Sequence, residues 1–501
     1  MTLIANVDVA VIGAGIAGLS AAHNLQLAND ASKAEPNVSY AVIEALDRVG
    51  GKVLSIPAFD DGSDFPVVDE GAAFINVTEH TMMKWLGDRY GVKPITTYTS
   101  GWGVSETSEG VDRAQSGLFV RSTLFPHLPS SPLTKFMHPQ TDDPIRLANL
   151  LGMITYIDSY ANDVNLHDLT ATPDAERLDN LSLEEFFAEY EGYDDWLRQF
   201  MQVYIHGVLG GQLDQISALF WLQYTKSSVN SQFLAAGAQD QRPDLGSMAY
   251  ARGMASELQE GSLHLSSPVK SIKYNDKTQL HTIKTKGGNT FEALHVIVTL
   301  PSPLLSTIEF DPPLPPPKQK LAKTAVMGFT NKALPIWKEP WWRKSKFGGM
   351  LSSSLGPVSV SIDSCNDDAG LYALTGFVIA DPKNDWVTLP DEERKDRLME
   401  QLNRTFGSFI DEPIPEPERI IYKTWVTEEY FWGGPTALAP PGLLTSDAGK
   451  AWREKWGTVS FIGTETAYEF MGYMEGAYRS GIRGANEALA AIGLPPVSIE
   501  R

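Results

Sequence analysis

The sequence predicts a mixed α/β and α+β protein, in which a Rossmann-like nucleotide-binding domain is interrupted by a second domain of mixed sheet and helices. Three observations predict it. The apolar run Val7 to Ile12 leads into Gly13, Gly15 and Gly18 and then into a helical stretch. A second apolar run, Tyr40 to Ile43, ends in Glu44, which completes a strand–helix–strand unit. A further strand and helix, Val459 to Ile462 and Tyr473 to Ile492, stand near the other end of the chain. The first strand and last helix of one domain are therefore separated by most of the sequence.

The elements follow in order. Val7 to Ile12 is short and continuously apolar, as a buried parallel strand must be. The helix after the glycines runs to about Ala28, and LANDASKAEPNVS is a polar loop. Residues 92 to 245 are rich in Asp, Trp and Tyr and read as mostly helical, as in LSLEEFFAEYEGYDDWLRQFM. Alternation returns in SPVKSIKY, HTIKTK and HVIVTLP, a β-meander that rejoins the nucleotide domain. FDPPLPPPK, residues 310 to 318, reads as an extended crossing segment. Residues 320 to 425 mix strands such as GLYALTGFVIA with a charged helix, PDEERKDRLMEQLNRTF. The expected division is 1–91, 246–310 and 428–501 for the nucleotide domain, and 92–245 and 311–427 for the second domain.

Composition narrows the class. The 501 residues are 43% hydrophobic and 21% charged, ordinary for a globular chain of two or three domains. A net charge of −21 opposes nucleic acid and anionic membrane surfaces, whose binding needs clustered Lys and Arg. It favours solubility, and it would also steer a cationic substrate. The single cysteine, Cys365, excludes an intrachain disulfide. No signal peptide, membrane span or peroxisomal address is legible, so a cytoplasmic, soluble protein is expected, and a homodimer is allowed. The nine His show no metal-ligand spacing, and no metal site is expected.

The glycines carry the first chemistry. Gly13 permits a tight turn, Gly15 lets backbone approach a pyrophosphate, and Gly18 lets helix and strand pack closely. The helix start offers free N–H groups and a positive dipole end to phosphates. Glu44 is placed to accept hydrogen bonds from a ribose diol. Arg48, Gly50, Gly51 and Lys52 extend the signal with a second glycine pair flanked by basic side chains, which favours FAD over NAD. Gly71, Ala72, Ala73 and Phe74 form a run of small residues ending in an aromatic ring, suited to backbone lying against a flat ring; a close-packed turn is the plainer alternative. Gly463, Thr464 and Glu465 follow a strand, and Tyr473 and Met474 open the last helix. That helix start would stabilise negative charge on a reduced flavin, with Tyr473 walling the substrate side; a capped helix with a buried Tyr is the alternative.

Taken together, these segments resemble the flavin-dependent amine oxidases, closest to the monoamine oxidase branch and of its soluble microbial or fungal type. The resemblance runs through DVAVIGAGIAGLSAA, VIEALDRVGGKV, DEGAAFI, SALFWLQY, FDPPLP, KALPIWKEPWWR, TWVTEEY, APPGLLT, FIGTETA and GYMEGAYRSG, nearly the whole chain in order. It implies a monoamine oxidase-like two-domain fold. It implies that Lys332 falls on a lysine that holds a water near flavin N5, that Trp425 lies beside the flavin ring, that Tyr473 is one of two aromatic cage walls, and that Val269 contacts adenine through its backbone.

The chain departs from the branch at the flavin-linking site. The spacing from Trp425 and from PPG places Gly434 and Pro435 where a Cys-Tyr pair stands in animal enzymes. The FAD should therefore be non-covalent. The second cage wall is missing, or is supplied by Phe431 or Trp432. Lys52 replaces the usual Arg, keeping the charge without the bidentate fork. The expected activity is oxidative deamination of a primary amine, bulky or long-chain aliphatic, to an aldehyde or ketone, with ammonia and hydrogen peroxide. Hydride passes to flavin N5 and O2 reoxidises it, with Lys332, Tyr473, Trp425 and Trp432 as the catalytic set. Alternatives are a polyamine oxidase, an L-amino acid oxidase, an NAD-dependent dehydrogenase and a non-catalytic flavin-binding protein.

Overall fold

The computed structural model describes residues 2–31, 37–115, 141, 143–231 and 233–497. Part of the loop read at residues 27–39, and the end of the C-terminal tail, lie outside them. Two large sheets carry the architecture. The first orders the strands Glu309–Asp311, Val269–Asn275, Leu280–Thr285, Asn289–Val298, Thr2–Ile12, Tyr40–Ile43 and Leu263–His264, with Val459–Phe461 beside Asn289–Val298. Its centre is parallel: Ile12 is in register with Val298 on one side and Ile43 on the other. Val9, Ala10 and Val11 have no solvent exposure, because helices cover one face and the meander side packs on the other. The second sheet orders Arg419–Lys423, Thr330–Trp337, Tyr372–Ile379, Val358–Asp363, Phe347–Ser353, Trp102–Thr107 and Gly110–Gln115.

The first helix, Ile16–Ala31, extends past the expected Ala28. It packs on the last helix, Met474–Ala491, where Ser20 Oγ donates to the Tyr478 carbonyl at 2.7 Å. The contact needs a small residue: a Cβ on Gly481 would stand 2.5 Å from the Ala17 carbonyl oxygen. Glu475, buried in the first turn of the last helix, accepts from the amides of Met82 and Met83 at the start of the helix Thr81–Tyr90. A buried carboxylate thereby caps a second helix against its dipole, and Arg479 Nε pairs with it at 2.7 Å.

Three expectations are corrected. The first strand begins at Thr2, not Val7; its opening residues are mostly exposed and pair through main chain with 289–292, so no apolar pattern announces them. The stretch 310–318 is not extended throughout, since a helix, Pro316–Thr324, starts inside it. Proline fits there because the first helical turn has no use for the missing N–H. Within 92–245, read as mostly helical, Trp102–Thr107 and Gly110–Gln115 form an antiparallel hairpin that joins the second sheet through Phe347–Ser353. The hairpin is short and half polar, so its alternation is weak. Among the described residues, no helix is long and apolar enough to cross a membrane.

Candidate active site

A cavity of about 500 Å³ runs from the glycine turns of the first sheet to the inner face of the second. The nucleotide end is built at the carboxyl ends of parallel strands, where open α/β sheets bind ligands. Gly13 has φ +106°, and a Cβ on Gly18 would overlap the Gly13 carbonyl oxygen, so turn and helix meet without side chains between them. Gly15 forms a bridge with Gly50 of the second glycine pair. Gly13, Gly15, Glu44, Gly50, Gly51 and Lys52 all line the cavity. Gly18 and Arg48 do not. Arg48 instead turns onto its own loop and donates to the carbonyls of Val49 and Gly51 at 3.2 and 3.0 Å. Glu44 is buried, and its two oxygens accept from the amides of Ala14 at 2.6 Å and Leu46 at 2.8 Å. Burial raises its pKa, against those bonds.

The middle of the cavity is flat-walled and small-sided. Gly71, Ala72, Ala73 and Phe74 line it, and Ala72 is exposed there although its neighbours Gly71 and Ala73 are buried. Lys332, from the strand Thr330–Trp337, reaches under this run. Its Nζ donates to the main-chain oxygens of Asp69 at 2.9 Å and Gly71 at 2.5 Å, with the Phe377 ring 5.5 Å away. Burial pulls its pKa down to about 8, and the nearby Asp69 and Glu70 carboxylates oppose this. Trp425 also lines the wall. Its Nε1 donates to the Glu70 carbonyl at 2.9 Å, and Phe431 stands edge-on to its ring at 5.1 Å.

Gly463, Thr464, Glu465, Tyr473 and Met474 close the cavity from the C-terminal segment. Tyr473 occupies the N-cap of the last helix, its carbonyl held by Thr464 Oγ1 at 2.9 Å. Buried Glu465 accepts from the Ser302 amide at 3.1 Å and opposes the lowering that burial imposes on the Lys52 pKa. Lys52 Nζ donates to the Pro435 carbonyl at 2.7 Å. Gly434, Pro435, Phe431 and Trp432 all border the cavity, and Trp432 is 41% exposed with φ +54°. Val269 lies on the wall beside Pro268 and Lys286.

The far end comes from the helix Asp195–Leu209 and from the second sheet: Phe200, Val203, Tyr204, Val208, Val360, Ile362 and Phe377, with Leu234, Gln239, Thr330 and Ser352. Sequence reasoning assigned none of these. Tyr224, beside Tyr473 with ring centroids 6.1 Å apart, was also missed, although it ends the quoted segment SALFWLQY. An aromatic cluster inside a helix gives no sign of which ring faces a cavity.

A glycine turn at the carboxyl ends of parallel strands, continuous with a bed of small residues and an apolar chamber, is the arrangement of a dinucleotide-binding protein. The family model for flavin containing amine oxidoreductases matches residues 16–489, and the chain belongs to that family. It is 30% identical over 497 residues to a flavin-containing amine oxidase of Oncorhynchus mykiss, covering 98% of this chain and 87% of the relative. Wild-type putrescine oxidase bound to putrescine aligns with a TM-score of 0.82 at 26% identity, over 97% of this chain and 99% of that one. Cyclohexylamine oxidase from Brevibacterium oxydans IH-35A aligns with a TM-score of 0.81 at 26% identity and the same coverage. The protein is a flavin-dependent amine oxidase with FAD as its cofactor. The residues present fit that group, since free helix amides, a carboxylate at the strand end and the exposed Ala72 follow one another along the cavity. Cys365, the sole thiol, is buried in the core of the second sheet and does not line the cavity, so it is not placed to link FAD covalently.

Proposed function

We propose that the chain oxidises a primary amine whose body is uncharged and bulky or long-chain aliphatic. One observation carries this reading. Among the described residues, the wall contributed by the Asp195–Leu209 helix and the second sheet has one charged group, Lys332, and its Nζ is already engaged by two carbonyls. The carboxylates on the wall, Glu44, Glu70, Glu429 and Glu465, stand on the nucleotide-side loops and the segments 425–435 and 463–474. No Arg lines the cavity among those residues. A second ammonium or a carboxylate on the substrate would enter an apolar chamber without a partner, which is costly. This disfavours polyamines and amino acids, and favours an amine of the kind that the name cyclohexylamine oxidase describes.

Bound FAD would supply the redox chemistry, acceptance of a hydride equivalent from the amine α-carbon and return of the electrons to O2 as hydrogen peroxide, leaving an imine that would hydrolyse to an aldehyde or ketone plus ammonia. The chain's residues do the rest. Gly13, Gly15, Gly50, Gly51 and Glu44 would hold the nucleotide end, with Val269 at adenine. The run 71–74, Trp425, Gly463, Thr464, Glu465 and Met474 would bed the ring, and Lys52 and Arg48 would fix the loops around it. Tyr473 and Tyr224 would wall the substrate side, with Trp432 at the rim. Lys332 would present an ammonium or amine at the ring's edge. The apolar chamber excludes water and favours the neutral amine, the form with a free electron pair. A peroxide-coupled screen of primary amines, diamines and amino acids tests the assignment. Preference for a diamine or an amino acid overturns it.

A further inference from the structure

Asp69 ends the short strand Val67–Asp69, and its carboxylate is buried beside the cavity's bed. Two donors fix its Oδ1, Ser55 Oγ at 2.5 Å and the Ser247 amide at 3.0 Å, while Ser247 Oγ, 2.9 Å away, shares its single proton between Oδ1 and the Ala72 carbonyl. Ser247 Oγ also contacts the Ala72 carbonyl, and the Ser55 hydroxyl receives the Met248 amide at 3.0 Å, so the carboxylate is tied to the bed of the cavity and to the helix Met248–Ser256. The main-chain oxygen of the same residue accepts from Lys332 Nζ at 2.9 Å. One residue therefore touches Lys332 through its carbonyl and stands near it with a buried charge.

We propose that Asp69 is the positioning residue for Lys332, its carbonyl setting where Nζ stands and its carboxylate supplying the counter-charge that keeps Nζ an ammonium. This rests on the reading of the cavity as a flavin site with Lys332 on its wall. The groups that face Lys332 are few. Asp69 and Glu70 favour its charge, Arg242 disfavours it, and the Phe377 ring adds a weak cation–π contact at 5.5 Å. Of the two carboxylates, Asp69 acts more strongly on Lys332 than Glu70 does. Around Asp69 stand Lys332, Arg242 and the Tyr250 hydroxyl, and burial disfavours the carboxylate's own charge. The hydrogen bonds from Ser55 and Ser247 oppose the resulting rise in its pKa by favouring the charged form. Arg242 is itself drawn toward Asp363 and donates to the Cys365 carbonyl at 2.5 Å, so it does not neutralise Asp69 alone.

The sign follows. Removing the negative charge makes the ammonium harder to keep, so Lys332 loses its proton at lower pH. The test titrates the visible spectrum of the oxidised holoenzyme between about pH 6 and about pH 10, since a charge beside the ring perturbs its absorption. Wild type should show a transition near Lys332's pKa of about 8, and Lys332→Met should show none. Asp69→Asn keeps the shape and the acceptor oxygen but not the charge, and should move the midpoint down by about one pH unit or more. A purely structural role would lower thermal stability and leave the midpoint in place, and that result overturns the proposal. So does a wild type with no transition. If Asp69→Asn does not retain flavin, Asp69→Ser removes the same charge with a smaller side chain and should move the midpoint the same way; a wild-type midpoint there overturns the proposal equally. A wild-type transition that survives in Lys332→Met refutes instead the placement of Lys332 beside the flavin, a distinct failure.

Discussion

The ring of Tyr473 leans on the ring of Tyr224 at 6.1 Å and 44°, and the Tyr224 hydroxyl occupies the space that a Cβ on Gly472 would need. Gly472 has φ +88°, a conformation that side chains rarely adopt, and a Cβ there would overlap the Tyr224 ring, with Cε2 at 2.6 Å. The turn that presents Tyr473 to the cavity thus depends on the absence of a side chain one residue earlier. Gly472→Ala should destabilise the protein by roughly 1–3 kcal/mol from overpacking, with backbone strain adding to it. Thermal unfolding and flavin content measure this, and a wild-type melting temperature with full flavin content counts against it.

Lys332→Met should keep FAD bound and slow one half-reaction, reoxidation above all. Stopped-flow rates unchanged in both halves would remove Lys332 from the site. The same variant carries a stability signature. The folded-state pKa of Lys332 is lowered to about 8 from 10.5. The folded protein therefore binds fewer protons than the unfolded chain between those values, and burial of the ammonium opposes folding most fully below about 8. That penalty fades as pH rises toward 10.5. Relative to wild type, Lys332→Met should thus be most stable at neutral pH and lose ground toward pH 10.5, whatever constant loss comes from two unpaired carbonyls. A pH-independent difference in unfolding free energy contradicts the buried-charge account.

Much of the nucleotide end was legible because backbone geometry there admits only certain residues. Gly13 and Gly18 mark a turn that side chains would block, and Glu44 follows a strand of four buried residues. The far wall was not legible. Phe200, Val203 and Tyr204 come from a helix whose other face is core, and one sequence cannot tell cavity from core when both are apolar. Arg48 shows the converse limit: its charge suggested a ligand contact, but its guanidinium is spent on loop carbonyls, which composition cannot reveal. The Trp102–Gln115 hairpin was hidden because its partner strand, Phe347–Ser353, lies far along the chain.

Glu44→Ala should weaken FAD affinity. A charged hydrogen bond is worth about 1.5–3 kcal/mol, and the substitution also strips acceptors from the Ala14 and Leu46 amides. Glu44→Gln retains one acceptor oxygen and should lose less. Titration of apo-protein with FAD measures both, and equal affinity in all three proteins would take Glu44 out of the nucleotide contacts.

Acid precipitation should release intact FAD, because no thiol lines the cavity among the described residues. The converse is open to construction. A Cβ on Gly434 would meet only Lys52 Cδ, at 3.9 Å, an ordinary contact, so Gly434→Cys should fold normally. The resemblance to enzymes with a cysteine at this spacing leads us to expect yellow colour retained in its washed, denatured pellet. Colour retained by wild type refutes non-covalent binding, and a colourless Gly434→Cys pellet shows that the thiol does not reach the ring.

Activity should rise with pH from about 6 to about 8, because the neutral fraction of an alkylamine grows about tenfold per unit below its pKa. The chamber has no carboxylate to hold an ammonium among its described second-sheet and helix residues, so the protonated form gains little by entering. The net charge of −21 draws the cation toward the surface, and that part of the rate should fall with added salt. Above about pH 8, loss of the proton from Lys332 should change the oxygen half-reaction rather than the amine half-reaction, which separates the two limbs. The ranking of substrates follows from the same wall. Phe200, Val360, Ile362 and Phe377 reward apolar volume, so kcat/KM should climb along n-alkylamines and favour cyclohexylamine over methylamine. Putrescine and spermidine should trail, because their second ammonium ends in an apolar wall. If spermidine, putrescine or an L-amino acid exceeds the best monoamine by more than about tenfold, a difference of about 1.4 kcal/mol in transition-state binding, the chamber recognises charge by a group outside this wall and the assignment of substrate class is wrong.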